Sequence, residues 1–122
     1  MNELLKEWQE RLFLHSWRIV LRENCKPDDM ALRDCWGCTD WTEESKTARI
    51  DIVDPDCLSE KIIPFDFEKT LVHELLHLKF CLLSDNSDSN MESRYVHQLI
   101  DEMARALVDA KRSGKEQTNA DN

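Results

Sequence analysis

Residues 71–80 read LVHELLHLKF, and their spacing sets how the rest of the chain must pack. His73 and His77 stand four apart, so on a helix their rings leave one face, one turn from each other. Leu71, Val72, Leu75, Leu76 and Leu78 surround them. That predicts a helix buried nearly all round, except where the two rings open. A buried helix with His, Glu and His at its middle must satisfy them, because an unpartnered buried polar group costs on the order of 1–3 kcal/mol. Two ordinary core histidines are the competing explanation of the pair.

The spacing HExxH suits a metal. A tetrahedral zinc takes imidazole nitrogens at about 2.0–2.1 Å, and two histidines at i and i+4 reach one ion. Glu74, next to His73, lies on a neighbouring part of the helix surface, where it addresses a water on the metal without ligating the metal itself. A mononuclear zinc site with Glu74 as the catalytic base needs a third protein ligand, and the next helix must supply it. His97 and Glu92 are the two candidates. His97 is preferred, because Asp101, one turn beyond it on the same face, offers a hydrogen-bond acceptor that would orient a metal-bound histidine. Glu92 falls at the helix start, where a carboxylate also favours the helix dipole.

Working outward, Asp66 is the expected N-cap of a helix over about 67–83. Residues 84–90 form a polar loop, and a second helix is expected over 91–112 with a stripe of Val96, Leu99, Ile100, Met103, Ala104 and Leu107. Upstream, Leu4, Leu5, Trp8 and Leu12 give 3–14 an amphipathic helical pattern. Residues 16–23 alternate as a strand, 34–41 form a second, and 46–53 a third, antiparallel to the second. The fold class is therefore α+β. It has an N-terminal helix, a small three-stranded antiparallel sheet, the HExxH helix and a second ligand-bearing C-terminal helix. A single domain is expected over 1–112, followed by a polar, unstructured tail at 113–122.

The 122 residues are 41% hydrophobic, enough for one core, and carry 16 basic against 25 acidic side chains, a net charge of −9. Such a surface repels phosphate backbones and anionic membranes, so neither nucleic acid nor a membrane is an expected partner. No signal peptide or apolar span is evident. The cysteines are Cys25, Cys35, Cys38, Cys57 and Cys81. An odd count with one in a buried helix points to reduced thiols and a cytoplasmic location. Cys35 and Cys38 have CxxC spacing but read as small strand residues. Residues 85–90, DNSDSN, lack the Gly and final Glu of a calcium loop and read as solvated. The four tryptophans and Tyr95 read as packing residues.

With these residues in place, the chain resembles the HExxH zincin metallopeptidases in a minimal form, specifically the small gluzincins, including short prophage-type members, and the SprT-like domains. In gluzincins a glutamate on the second helix is the third ligand, with an aspartate four residues later. The segment HQLIDEMARAL, residues 97–107, is similar to that helix, with Asp101 kept and His97 in the glutamate's place. SprT-like domains use a third histidine, and their order of elements resembles ELLKEWQERLF, WRIVL, CWGCTDW and ARIDIV here. The resemblance implies a zinc-dependent hydrolase, a peptidase acting on a peptide or protein. Its substrate strand would add to the strand at 46–53 if that strand lies at the sheet edge. The alternative is a metal-binding interaction module of the same fold without catalysis.

Overall fold

The apolar run around residue 75 forms α2 (Phe67–Lys79), and Asp66 caps it as expected, its side chain accepting from the Lys69 N–H at 3.1 Å. The computed structural model describes residues 3–30, 36–58, 64–81 and 91–120, with backbone alone at 91–94 and 115–120. The remaining elements are α1 (Glu3–Arg11), β1 (Arg18–Cys25), β2 (Gly37–Thr42), β3 (Thr47–Val53) and α3 (Met91–Ala120), with short 3-10 turns at Pro27–Asp29 and Pro55–Cys57. This is the expected α+β order. The expected helix end at 83 and the expected polar loop at 84–90 fall outside the described residues; α2 itself ends at Lys79.

The sheet departs from expectation in direction. Its strand order is β1-β3-β2. The β2–β3 pair is antiparallel, as expected, but β1 runs parallel to β3, so the sheet is mixed. Alternation of apolar residues specifies which face of a strand is buried and says nothing about its direction. The segment after β1 is long enough to carry the chain past β3 before β2 begins. The Arg18 N–H then donates to the Lys46 carbonyl in the β2–β3 turn at 2.9 Å, which sets the register of β1. A second consequence is that β3 is central, not at the edge. Ile50 and Ile52 are fully buried on one side of it, and Asp51 and Val53 are buried on the other. Asp51 tolerates burial because Arg22 of β1 grips both its oxygens, at 2.7 and 2.8 Å. That contact holds the Asp51 carboxyl below the usual carboxylate range.

Leu71, Val72, Leu75, Leu76 and Leu78 of α2 fill the centre of the core, against Ile50 and Ile52 of the sheet and against Ile100, Ala104 and Val108 of α3. The core stripe of α3 is therefore rotated from the expected one: Leu99 and Met103 sit at its rim, and Val108 at its centre. The helix also continues to Ala120, past the expected end at 112. Lys115, Glu116 and Gln117 are good helix formers, whereas Gly114, Thr118 and Asn119 each cost up to about 1 kcal/mol, so intrinsic propensity alone does not account for the extension.

Polar contacts fix how α3 lies on α2. Glu68 in the first turn of α2 accepts from the Trp8 indole at 2.8 Å and from Lys111 at 2.5 Å. Burial pushes the Glu68 carboxyl up, but the bonds from Lys111 and Trp8 outweigh it and hold the group below the usual range. Arg112 forks onto Asp66 at 2.8 and 3.0 Å. Three helices are thus locked at one end, which sets where α3 places its residues further up.

The chain leaves α1 through a left-handed residue, Phe13. Leu14 N–H bonds the Gln9 carbonyl at 2.7 Å and Phe13 N–H bonds Glu10 at 3.2 Å, the bond pattern of a Schellman cap. Its left-handed position is normally glycine, yet Phe13 occupies it with φ of 58° and is 74% exposed. A left-handed conformation costs a residue with a Cβ roughly 1–2 kcal/mol. Glycine's larger unfolded-state entropy takes back part of that. Phe13→Gly also gives up the Lys79 ammonium that lies over the Phe13 ring, 5.8 Å from its centroid, a contact worth about 0.5–1 kcal/mol. The substitution is therefore expected to leave stability within about 0.5 kcal/mol of the parent, read as a urea midpoint that barely moves at unchanged slope.

Candidate metal centre

His73 and His77 leave α2 on the same face, half-buried, and α3 brings the exposed His97 over them. The Nε2 atoms of His73 and His77 are 3.2 Å apart. Ring centroids are 4.9 Å apart for His73–His77, 4.9 Å for His73–His97 and 5.3 Å for His77–His97. One ring nitrogen from each of the three lies within 4.8 Å of the others, close enough to bind a metal ion. For nitrogens at about 2.0–2.1 Å from a tetrahedral ion, the ligand–ligand edge is about 3.3–3.4 Å, so the His73–His77 pair already has that spacing. Three imidazoles on one point also match the ligand chemistry of zinc and related divalent ions.

The electrostatics favour the ligating form of the rings. Burial, then the neighbouring His73 and His97, push the His77 imidazole down to about 4. Burial and His97 lower His73 too, against the pull of Asp101. Both rings are then neutral near pH 7, with a lone pair to give.

Asp101 reaches across the helix pair. Its Oδ1 lies 3.4 Å from Nδ1 of His73, while its Oδ2 takes Arg105 at 3.0 Å. The aspartate thus addresses a ring on α2, although the sequence places it one turn from His97. Helix spacing gives the face of a residue but not which neighbouring helix that face meets. Holding Nδ1 leaves Nε2 of His73 turned toward the other two rings. Removing such an orienting partner typically costs 10–100-fold in metal affinity, so Asp101→Ala is expected to weaken zinc binding by about that factor, measured by competition with a chromophoric chelator.

Glu74 projects to the other side of His77, toward the sheet. It is 6% exposed. Thr39 Oγ1 on β2 donates to its Oε1 at 2.5 Å. Burial pushes its carboxyl up to about 7, against the opposing pull of the Thr39 hydrogen bond. Gly37, two residues earlier on β2, makes room for the side chain: a Cβ there would stand 2.9 Å from Glu74 Cγ and 3.0 Å from Oε2.

The structure therefore brings together His73, His77, His97 and Asp101, with Glu74 beside His73 in the chain and held by β2. Glu92, the other candidate ligand, lies in the first turn of α3, where the side chains fall outside the described residues. Cys35 and residues 85–90 fall outside them as well. Cys38 packs with Cys25, Met30 and Val53, in keeping with its reading as a small strand residue. Trp8 is in the main core, and Trp36 packs on Phe65 at 5.5 Å. Tyr95 departs from its packing role: it is 63% exposed on the outer flank of α3. Thr39 and Gly37 were not singled out from the sequence. A lone glycine in a strand, which often marks a close approach, was the available signal.

No protein-family model matches the chain, and no curated protein or solved structure matches it. No helix among the described residues is long and apolar enough to cross a membrane.

Proposed function

We propose that the protein is a zinc-dependent hydrolase acting on peptides, with His73, His77 and His97 holding the ion and Glu74 serving as general base. One observation carries this reading: three imidazoles from two helices converge within 4.8 Å, and the residue after the first of them is a buried carboxylate. Bound zinc supplies Lewis-acid polarisation of a carbonyl and a nucleophile from water at neutral pH. The chain's own residues do the rest. Asp101 fixes the tautomer and orientation of His73. Glu74 accepts the proton of the attacking water on its carboxylate and returns it to the leaving amine.

The peptide-binding strand moves from its expected place. With β3 in the centre, β2 is the strand beside the site that ends the sheet order among the described residues. An extended peptide adds to the open edge of β2, gaining main-chain hydrogen bonds and hence loose sequence preference. The net charge of −9 speaks against nucleic acid as substrate.

The test is zinc content and hydrolysis together. The purified protein is expected to hold one zinc and to cleave a quenched-fluorescent mixed-peptide pool. 1,10-Phenanthroline should stop the cleavage, and added zinc should restore it. Absence of bound metal, or cleavage indifferent to the chelator, overturns the reading.

A further inference from the structure

Glu74 is held from outside its own helix, by residues that form no part of the HExxH pattern. We propose that Thr39 and Gly37 of β2 are positioning residues for Glu74: the Thr39 hydroxyl fixes one carboxylate oxygen, and the absent side chain at Gly37 is the slot for the rest of the group. This rests on the reading of Glu74 as the base.

Thr39 Oγ1 donates to Glu74 Oε1 at 2.5 Å and lies 3.5 Å from the Glu74 carbonyl oxygen. An ideal Cβ at position 37 would meet Glu74 Cγ at 2.9 Å, Oε2 at 3.0 Å and Cδ at 3.1 Å. Contacts under 3.0 Å are not tolerated by real Cβ atoms, so any larger residue moves the carboxylate. Gly37 and Thr39 pair across the ladder with Ile52 and Ile50, both core residues, so both face α2. Two successive inward positions of one strand are thus given to a single carboxylate. Thr39 is β-branched, so its hydroxyl is stiff about χ1. An unheld glutamate has three rotatable bonds, and a base must stay within hydrogen-bond reach of its proton. Misplacing a catalytic group by about 1 Å can cost on the order of 10²-fold in rate. Because β2 also ends the sheet order on the side of the site among the described residues, the strand offered to substrate is the strand that sets the base.

The experiment compares Thr39→Val, Thr39→Ser and Gly37→Ala in the zinc-loaded protein, with the same peptide pool and with ¹³C-glutamate labelling. The Glu74 carboxyl resonance is identified by its absence in Glu74→Gln. Loss of a hydrogen bond to a carboxylate predicts that Thr39→Val lowers kcat by about ten- to hundredfold. KM should stay within about twofold, the mark of a contact that matters in the transition state. Zinc stoichiometry should not change. Thr39→Ser should restore kcat, and Gly37→Ala should lower it with Thr39 intact. The Glu74 resonance should shift in Thr39→Val and Gly37→Ala and return in Thr39→Ser, which a role in packing alone would not produce. Full turnover in the wild type and in both damaging variants overturns the role of Thr39 and Gly37, and so does an unmoved resonance. No turnover by zinc-loaded wild type overturns the hydrolase itself and, with it, this role.

Discussion

Replacing Glu74 with Gln is expected to leave one zinc per chain and to lower peptide hydrolysis by about 10²–10⁴-fold. The amide has the shape of the carboxylate and still accepts the Thr39 hydrogen bond, but it cannot take up a proton. The three ring nitrogens that gather for the metal belong to other residues, so affinity should be kept. The fold should be kept as well. Glu74 is buried deeply enough that its carboxyl is pushed up to about 7, and a neutral amide in that place carries no ionic desolvation. The measurement is kcat/KM beside zinc content by elemental analysis. A protein that held zinc only to dock a partner would show no turnover before or after the change, and the substitution would then be silent.

His97→Ala is expected to release the metal. Zinc sites with four protein ligands bind with apparent free energies of about 10–16 kcal/mol. An even share is roughly 3 kcal/mol per ligand, so losing one of three should weaken binding by about 10²–10³-fold. His97 is exposed and outside the core cluster, so the truncation leaves no cavity and the thermal midpoint of the metal-free protein should not move. Glu92→Ala is the comparison, since both residues were open from the sequence. Full zinc content in Glu92→Ala and depletion in His97→Ala are expected, read by elemental analysis after dialysis against a weak chelator.

How far the sequence could be read depended on the range of the interaction. The helix over the HELLH segment, its Asp66 cap and the inward faces of β3 are local properties. Spacing and alternation encode them directly, and they stand. The parallel run of β1 does not appear in alternation, because direction is set by how the intervening chain crosses the sheet. The central place of β3 follows from the same crossing and leaves β1 and β2 as the outer strands among the described residues. Within the site, the pairing of His73 with Asp101 depends on which helix faces which, and that is fixed at the far end by Glu68, Lys111, Trp8 and Arg112. The roles of Thr39 and Gly37 arise between a strand and a helix 35 residues apart in the chain. No periodicity within either segment carries that information.

Zinc K-edge X-ray absorption of the loaded protein tests the metal centre most directly. Three imidazoles at about 2.0–2.1 Å, with one light-atom ligand from solvent, is the expected first shell. A shell with fewer than three imidazoles, or one in which a carboxylate of Glu74 or Glu92 replaces a histidine, would contradict the convergence of His73, His77 and His97 on a single ion.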